Sequence, residues 1–259
     1  MTWTTRQRSD VGGLAAIIKG RGPLILMIHG VGLRAEAFAG QIDALAQDHR
    51  VIAIDVPGHG ESAMMPGLAD IAAYTDVCAA TFSEPALVVG HSMGAMIALD
   101  MAHRYPDRLR GVAALNAVFD RSDEAAAAVR NRANSLDGKT VADPEPTLTR
   151  WFGDSPSVER DACRSWLTSV DPAAYKSAYA AFATSNVPRA AALQALSCPV
   201  LFATGAAEPN STPQMSLTMA GHAPDGQAVV IAGAAHMMPM THVSQVNEAL
   251  LQFAQRVPA

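Results

Sequence analysis

Three residue types set at the ends of apolar runs point to acyl-transfer chemistry. Ser92 lies in Gly90-His91-Ser92-Met93-Gly94, directly after the apolar run Ala86-Leu87-Val88-Val89. A serine on a sharp strand-to-helix turn can be presented as a nucleophile, and flanking glycines omit the Cβ atoms that would collide across the bend. Met93, Met96, Ile97 and Met101 then recur at helical spacing until Tyr105-Pro106, so strand, turn and helix follow in the required order. A serine hydroxyl is a weak nucleophile at neutral pH. It needs a general base, a group that orients the base, and donors for the developing oxyanion. His236, closing Gly233-Ala234-Ala235-His236, is the candidate base. Glu208 stands between Ser92 and His236 in the Ser, acid, His order and is the favoured orienting acid, with Asp120 the competing candidate. The backbone amides of Met93 and of Val31, in His29-Gly30-Val31-Gly32, are the expected oxyanion donors. His29, Gly30, Trp151 and Met237 are candidates for the substrate pocket, and Met64, Met65, Met93 and Met238 can add polarizable lining.

Other polar residues read as structural. Asp55 belongs to a Pro-Gly turn whose amides a carboxylate can satisfy, and His91 sits inside the turn with its side chain directed away from Ser92. His59 falls in a glycine turn, and no histidine pair has the spacing of a metal site such as H-E-x-x-H.

These residues must be positioned by short apolar runs at 24–28, 51–54, 86–89, 112–115, 200–203 and 229–231, which alternate with longer amphipathic segments. Continuous apolar runs suit strands buried on both faces, and alternation with helices makes them parallel. Ligands of such sheets bind beyond the carboxyl ends of the strands, where the candidates above collect. The alternation breaks from 119 to 195, which carries Ala-rich helical patterns at 123–132 and 172–184 and no clear strand. The division is therefore a core of 1–118 and 196–259 with a helical lid inserted at 119–195.

Composition bounds the class. A chain of 259 residues, 49% hydrophobic and 17% charged, is a globular domain with a sizeable core. A formal net charge of -5 without a Lys/Arg run argues against nucleic acid or an anionic membrane as partner. The start Met1-Thr2-Trp3-Thr4-Thr5-Arg6 has no leader pattern, and Lys19, Arg21, Gly22 and Pro23 interrupt the only long apolar stretch near it. Cys78, Cys163 and Cys198, odd in number and in apolar surroundings, are expected as buried free thiols of a cytoplasmic protein.

Together, His29-Gly30, Asp55-Val56-Pro57-Gly58-His59-Gly60-Glu61-Ser62, the Ser92 turn and His236 make the chain similar to the α/β-hydrolase superfamily over nearly its whole length. The resemblance implies a mostly parallel eight-stranded sheet flanked by helices, a helical cap, no cofactor, and an acyl-enzyme on Ser92. The expected substrate is a small or medium carboxylic ester or lactone, acted on by a monomer or homodimer. Carbon–carbon bond hydrolysis, enol-lactone hydrolysis and ligand sensing are the alternatives that such a family offers. Glutamate at 208 departs from the commoner aspartate, and Ala95 replaces a glycine frequent in carbon–carbon hydrolases, which favours esterases and lactonases.

Overall fold

The structure, a computed structural model, describes residues 3–257, so Met1 and Thr2 of the expected leader-free start lie outside the described residues. Eight strands form one sheet: β1 (Ser9–Val11), β2 (Leu14–Lys19), β3 (Leu24–Ile28), β4 (Arg50–Ile54), β5 (Ala86–His91), β6 (Leu109–Leu115), β7 (Val200–Gly205) and β8 (Gly226–Ile231). Their order is β1-β2-β4-β3-β5-β6-β7-β8. From β4 to β8 every pairing is parallel, whereas β1–β2 and β2–β4 are antiparallel.

All six apolar runs are strands, and the middle of the sheet is buried on both faces. Period-two alternation sends Leu26, Ile28, Val88 and Ala114 into one apolar layer beneath the helix Met93–Arg104. It sends Ile25, Met27, Val51 and Val89 into the other, against the helices Ala39–Leu45 and Val243–Arg256. Each of these Leu, Ile, Val and Met side chains contributes about 1.5–3 kcal/mol relative to exposure. The edge hairpin β1–β2 was not resolved by apolar runs because β2 is buried only in part; its signal is Gly12-Gly13, both at positive φ (62° and 85°), a two-residue turn that pairs Val11 with Leu14.

Between β6 and β7 the chain forms the helices Asp123–Ser135, Glu145–Phe152, Val158–Ser169, Pro172–Thr184 and Ala190–Gln194, with no strand. Ser122, Ser157 and Asp171 cap three of them through side-chain oxygens that accept from the amide three residues on. Leu148, Trp151, Trp166, Leu167 and Tyr175 of this insertion pack on Leu33, Met237 and Met240 from the sheet's carboxyl edge. A buried ion network braces the loops below. Asp55 accepts from Arg8 Nε at 2.8 Å and the amides of Ala35 and Glu61, and Glu36 from Arg8 and Arg34. Asp55 is thus a loop brace, and Gly60 is required beside it, since a Cβ there would lie 2.2 Å from Asp55 Cγ. Cys78, Cys163 and Cys198 are buried free thiols. Among the described residues no helix is long and apolar enough to cross a membrane.

Candidate active site

Ser92 sits at the end of β5 with φ 57° and ψ −118°, a backbone conformation that favours glycine and costs a serine about 1–3 kcal/mol. The surroundings enforce it. Ser92 N–H donates to the Leu115 carbonyl at 2.9 Å, and the Ser92 carbonyl accepts from the amides of Ala95 and Met96. A Cβ on Gly90 would lie 2.0 Å from the Gly94 carbonyl oxygen, and one on Gly94 would lie 2.0 Å from that of Ile28, so both positions exclude any side chain. Gly30 crosses above the hydroxyl; a Cβ there would stand 2.9 Å from Ser92 Cβ.

Among the described residues the amides of Val31 and Met93 make no hydrogen bond, which leaves two donors free on the residues that follow Gly30 and Ser92. His29 holds the first of them in place. Its Nδ1–H donates to the Gly30 carbonyl at 2.7 Å and its Nε2 accepts from the Val56 amide at 3.0 Å. With both nitrogens engaged and no exposure, His29 presents nothing to a pocket, and that part of the sequence expectation is corrected. Met237 is likewise fully buried, packed among Leu33, Leu148 and Trp166.

His236 and Glu208 meet. His236 Nδ1–H donates to Glu208 Oε2 at 2.9 Å, which leaves Nε2 as the basic nitrogen. Glu208 Oε1 accepts from the amides of Asn210 at 2.8 Å and Ser211 at 3.3 Å. Burial alone raises this carboxyl, but the bond and charge of His236 and the two amides outweigh it and bring it down to about 2. Glu208 is therefore a carboxylate across the working pH range. Asp120 is not brought to the imidazole: it is exposed, has φ 47°, and lines a separate cavity of about 740 Å³ with Arg121, Arg130 and His222.

Trp151 stacks on the His236 ring at 5.4 Å between centroids and 18° between planes. His91, whose side chain the turn directs away from Ser92, contacts the same imidazole. Its ring lies 5.0 Å from that of His236, and its Nε2–H donates to the His236 carbonyl at 2.8 Å. The signal was present in the strand alternation, which turns residue 91 to the face opposite residue 92, toward the loop after β8. Ser92 Oγ and His236 Nε2 make no hydrogen bond among the described residues; His91 ties the loop of one to the turn of the other. His91→Phe is expected to lower kcat by about 10–100-fold with KM little changed, in line with the loss of a positioning contact, while His91→Gln, which retains a donor, keeps most of the rate. Steady-state kinetics on both variants checks this, and equal losses would contradict it. Among the described methionines Met64 alone is well exposed, beside a cavity of about 340 Å³ with Arg34 and Trp166; Met93 and Met238 are core.

Burial also fixes protonation. His59 and His91 are pushed down to about 3 by desolvation, and desolvation lowers His29 as well. A histidine that stays neutral in the fold but protonates when unfolded contributes stability above the unfolded value near 6.5, and that stability is lost as pH falls toward the folded value. His59 and His91 should each cost about 1.4 kcal/mol per pH unit below about 6.5. Urea midpoints are therefore expected to fall steeply between pH 7 and pH 5; a flat profile would contradict neutral burial.

The comparisons agree with this architecture. A profile described as "Alpha/beta hydrolase family" matches residues 25–249. The chain is 35% identical over 93% of both chains to (E)-2-((N-methylformamido)methylene)succinate hydrolase of Acinetobacter baylyi. It is 29% identical to the pimeloyl-[acyl-carrier protein] methyl ester esterase of Xanthomonas oryzae, over 92% of this chain and 98% of that one. A thermophilic esterase from Thermogutta terrifontis, solved with malate bound, superimposes with a TM-score of 0.85 at 27% identity, covering 98% of this chain and 100% of that one. Sheet order, strained serine turn and sequence kinship converge: the chain belongs to the alpha/beta hydrolase family.

Proposed function

We propose that the chain is a serine hydrolase that cleaves a small or medium carboxylic ester or lactone through an acyl-enzyme on Ser92. The observation that carries this reading is the 2.9 Å bond from His236 Nδ1 to the ionised Glu208, on a loop tied to the strained Ser92 turn. Ser92 Oγ attacks the substrate carbonyl while its proton passes to His236 Nε2, and the resulting oxyanion takes the Val31 and Met93 amides. Collapse breaks the bond to the leaving alkoxide, which takes the proton from His236. Water then attacks the acyl-enzyme with His236 as base, and the acid leaves as Ser92 regains its proton. Glu208 remains ionised, holds the tautomer and stabilises the imidazolium. The insertion 119–195 is assigned as the lid, since Trp151 covers the imidazole.

A second reading has its own support. The Acinetobacter baylyi relative is named for a formamido-substituted methylenesuccinate, and an N-acyl group is open to the same attack. Rates on p-nitrophenyl butyrate, γ-butyrolactone and (E)-2-((N-methylformamido)methylene)succinate separate the two. Turnover of the ester or lactone alone supports the first; turnover of the formamide alone moves the assignment to C–N cleavage. No turnover of any, in folded protein, overturns the hydrolase reading.

A further inference from the structure

Two buried side chains at the ends of neighbouring strands connect the Ser92 turn to the loop that carries Glu208. Asn116 directly follows β6, whose last residue, Leu115, accepts the Ser92 amide through its carbonyl. Thr204 is the penultimate residue of β7, from which the loop to Glu208 departs. Neither has any exposed surface. Asn116 Nδ2–H donates to Thr204 Oγ1 at 3.2 Å, and Thr204 Oγ1–H donates to the Ser211 carbonyl at 2.6 Å. Ser211 in turn gives its amide to Glu208 Oε1 at 3.3 Å. The directions are forced, because a carbonyl only accepts and the threonine hydroxyl has one proton to give.

The two halves of this loop are held differently. Its outgoing half is pinned by backbone bonds to the chain that leads to His236: the Ala206 amide donates to the Ile231 carbonyl at 2.9 Å, and the Ala207 amide to the Ala234 carbonyl at 2.8 Å. Its returning half supplies the Asn210 and Ser211 amides that grip Glu208, and the Thr204 hydroxyl closes it across the neck. The closure is costly to the fold. Asn116 stands at φ 53°, and Asn116 Oδ1 and Ser211 Oγ are buried without a hydrogen-bond partner among the described residues. Apolar side chains of the same shape would leave no such orphans, and strain of this kind gathers at functional sites.

We propose that Thr204, aimed by Asn116, is the positioning residue of the orienting acid: it fixes the turn 208–211 so that Glu208 Oε2 meets His236 Nδ1. This rests on the reading of Glu208 and His236 as the partners of Ser92 and adds the group that aims the carboxylate. A closed circuit results, from the Ser92 turn through Asn116, Thr204, Ser211 and Glu208 to His236, and back to β5 through His91.

Thr204→Val keeps the shape and loses the hydroxyl, whereas Thr204→Ser keeps it. The valine variant is expected to lower kcat on p-nitrophenyl butyrate by about 10–100-fold with KM little changed, and the serine variant to keep most of the rate. In a Glu208→Gln background Thr204→Val should cost less than about twofold, because the carboxylate it aims is gone. Asn116→Gly, which suits a positive φ, should lower the rate several-fold alone and add nothing to Thr204→Val. Equal losses in both backgrounds, or from valine and serine alike, would overturn the relay. Proton NMR of the His236 Nδ1–H, assigned by its loss in His236→Ala, reads the same contact without turnover. Its exchange with solvent is expected to quicken in Thr204→Val and to stay slow in Thr204→Ser; where the valine variant does not fold, Asn116→Gly carries the comparison. If wild-type protein leaves the ester intact, the ester-hydrolase reading fails while this signal still decides the relay: faster exchange supports it, and unchanged exchange, or no such signal in folded wild type, overturns it.

Discussion

Ser92→Ala is expected to lower kcat by about 10⁴-fold or more while leaving the fold intact. The hydroxyl makes no hydrogen bond among the described residues, so its removal orphans no buried partner. The Ser92→Gly variant sharpens the expectation. At φ 57° the serine backbone is strained, and glycine adopts this conformation freely. Relief of about 1–3 kcal/mol of strain, less about 0.5–1 kcal/mol for the more flexible unfolded chain, leaves a net gain near 1 kcal/mol. The inactive glycine variant should therefore melt higher than wild type. Calorimetry and initial rates on the same samples test both halves, and an active Ser92→Ala protein would remove the serine from the chemistry.

Glu208→Gln is expected to lower kcat by about 10²–10⁴-fold. The amide fills the same volume and can keep its acceptor toward Asn210, yet it no longer presents a charged acceptor to His236 Nδ1–H. It neither fixes the tautomer nor offsets the imidazolium. Because Glu208 is held down to about 2, its contribution to stability is fully present above the unfolded carboxyl range and is lost only as pH falls toward 2. The wild-type rate should consequently show no acid limb from Glu208 above pH 4. Asp120→Asn should change kcat less than about twofold, since an exposed side chain in another cavity contributes little to the imidazole. The opposite ranking would place the orienting acid at Asp120.

How much of this was legible in the sequence follows from the range of each interaction. The central strands were visible because burial on both faces leaves an uninterrupted apolar record, and the serine turn because two glycines face carbonyls that exclude any Cβ. The half-buried β2 left no such record, so the edge hairpin was carried by Gly12-Gly13 alone. Chain order placed Glu208 and His236 after strands that end at one edge, but a choice between Glu208 and Asp120 needs the loop geometry that aims one carboxylate at Nδ1. His29 and His91 show the limit most clearly. A histidine beside a reactive residue looks alike in sequence whether it touches substrate, clamps a loop through two backbone bonds or carries a neighbouring catalytic loop.

The central claim is that Ser92 is an activated nucleophile, and mass spectrometry after exposure to a fluorophosphonate probe tests it most directly. One label per chain, mapped to the peptide that holds Ser92 and lost in Ser92→Ala and His236→Ala, is the predicted result. Folded wild-type protein that stays unlabelled, or carries the label on another residue, would contradict it.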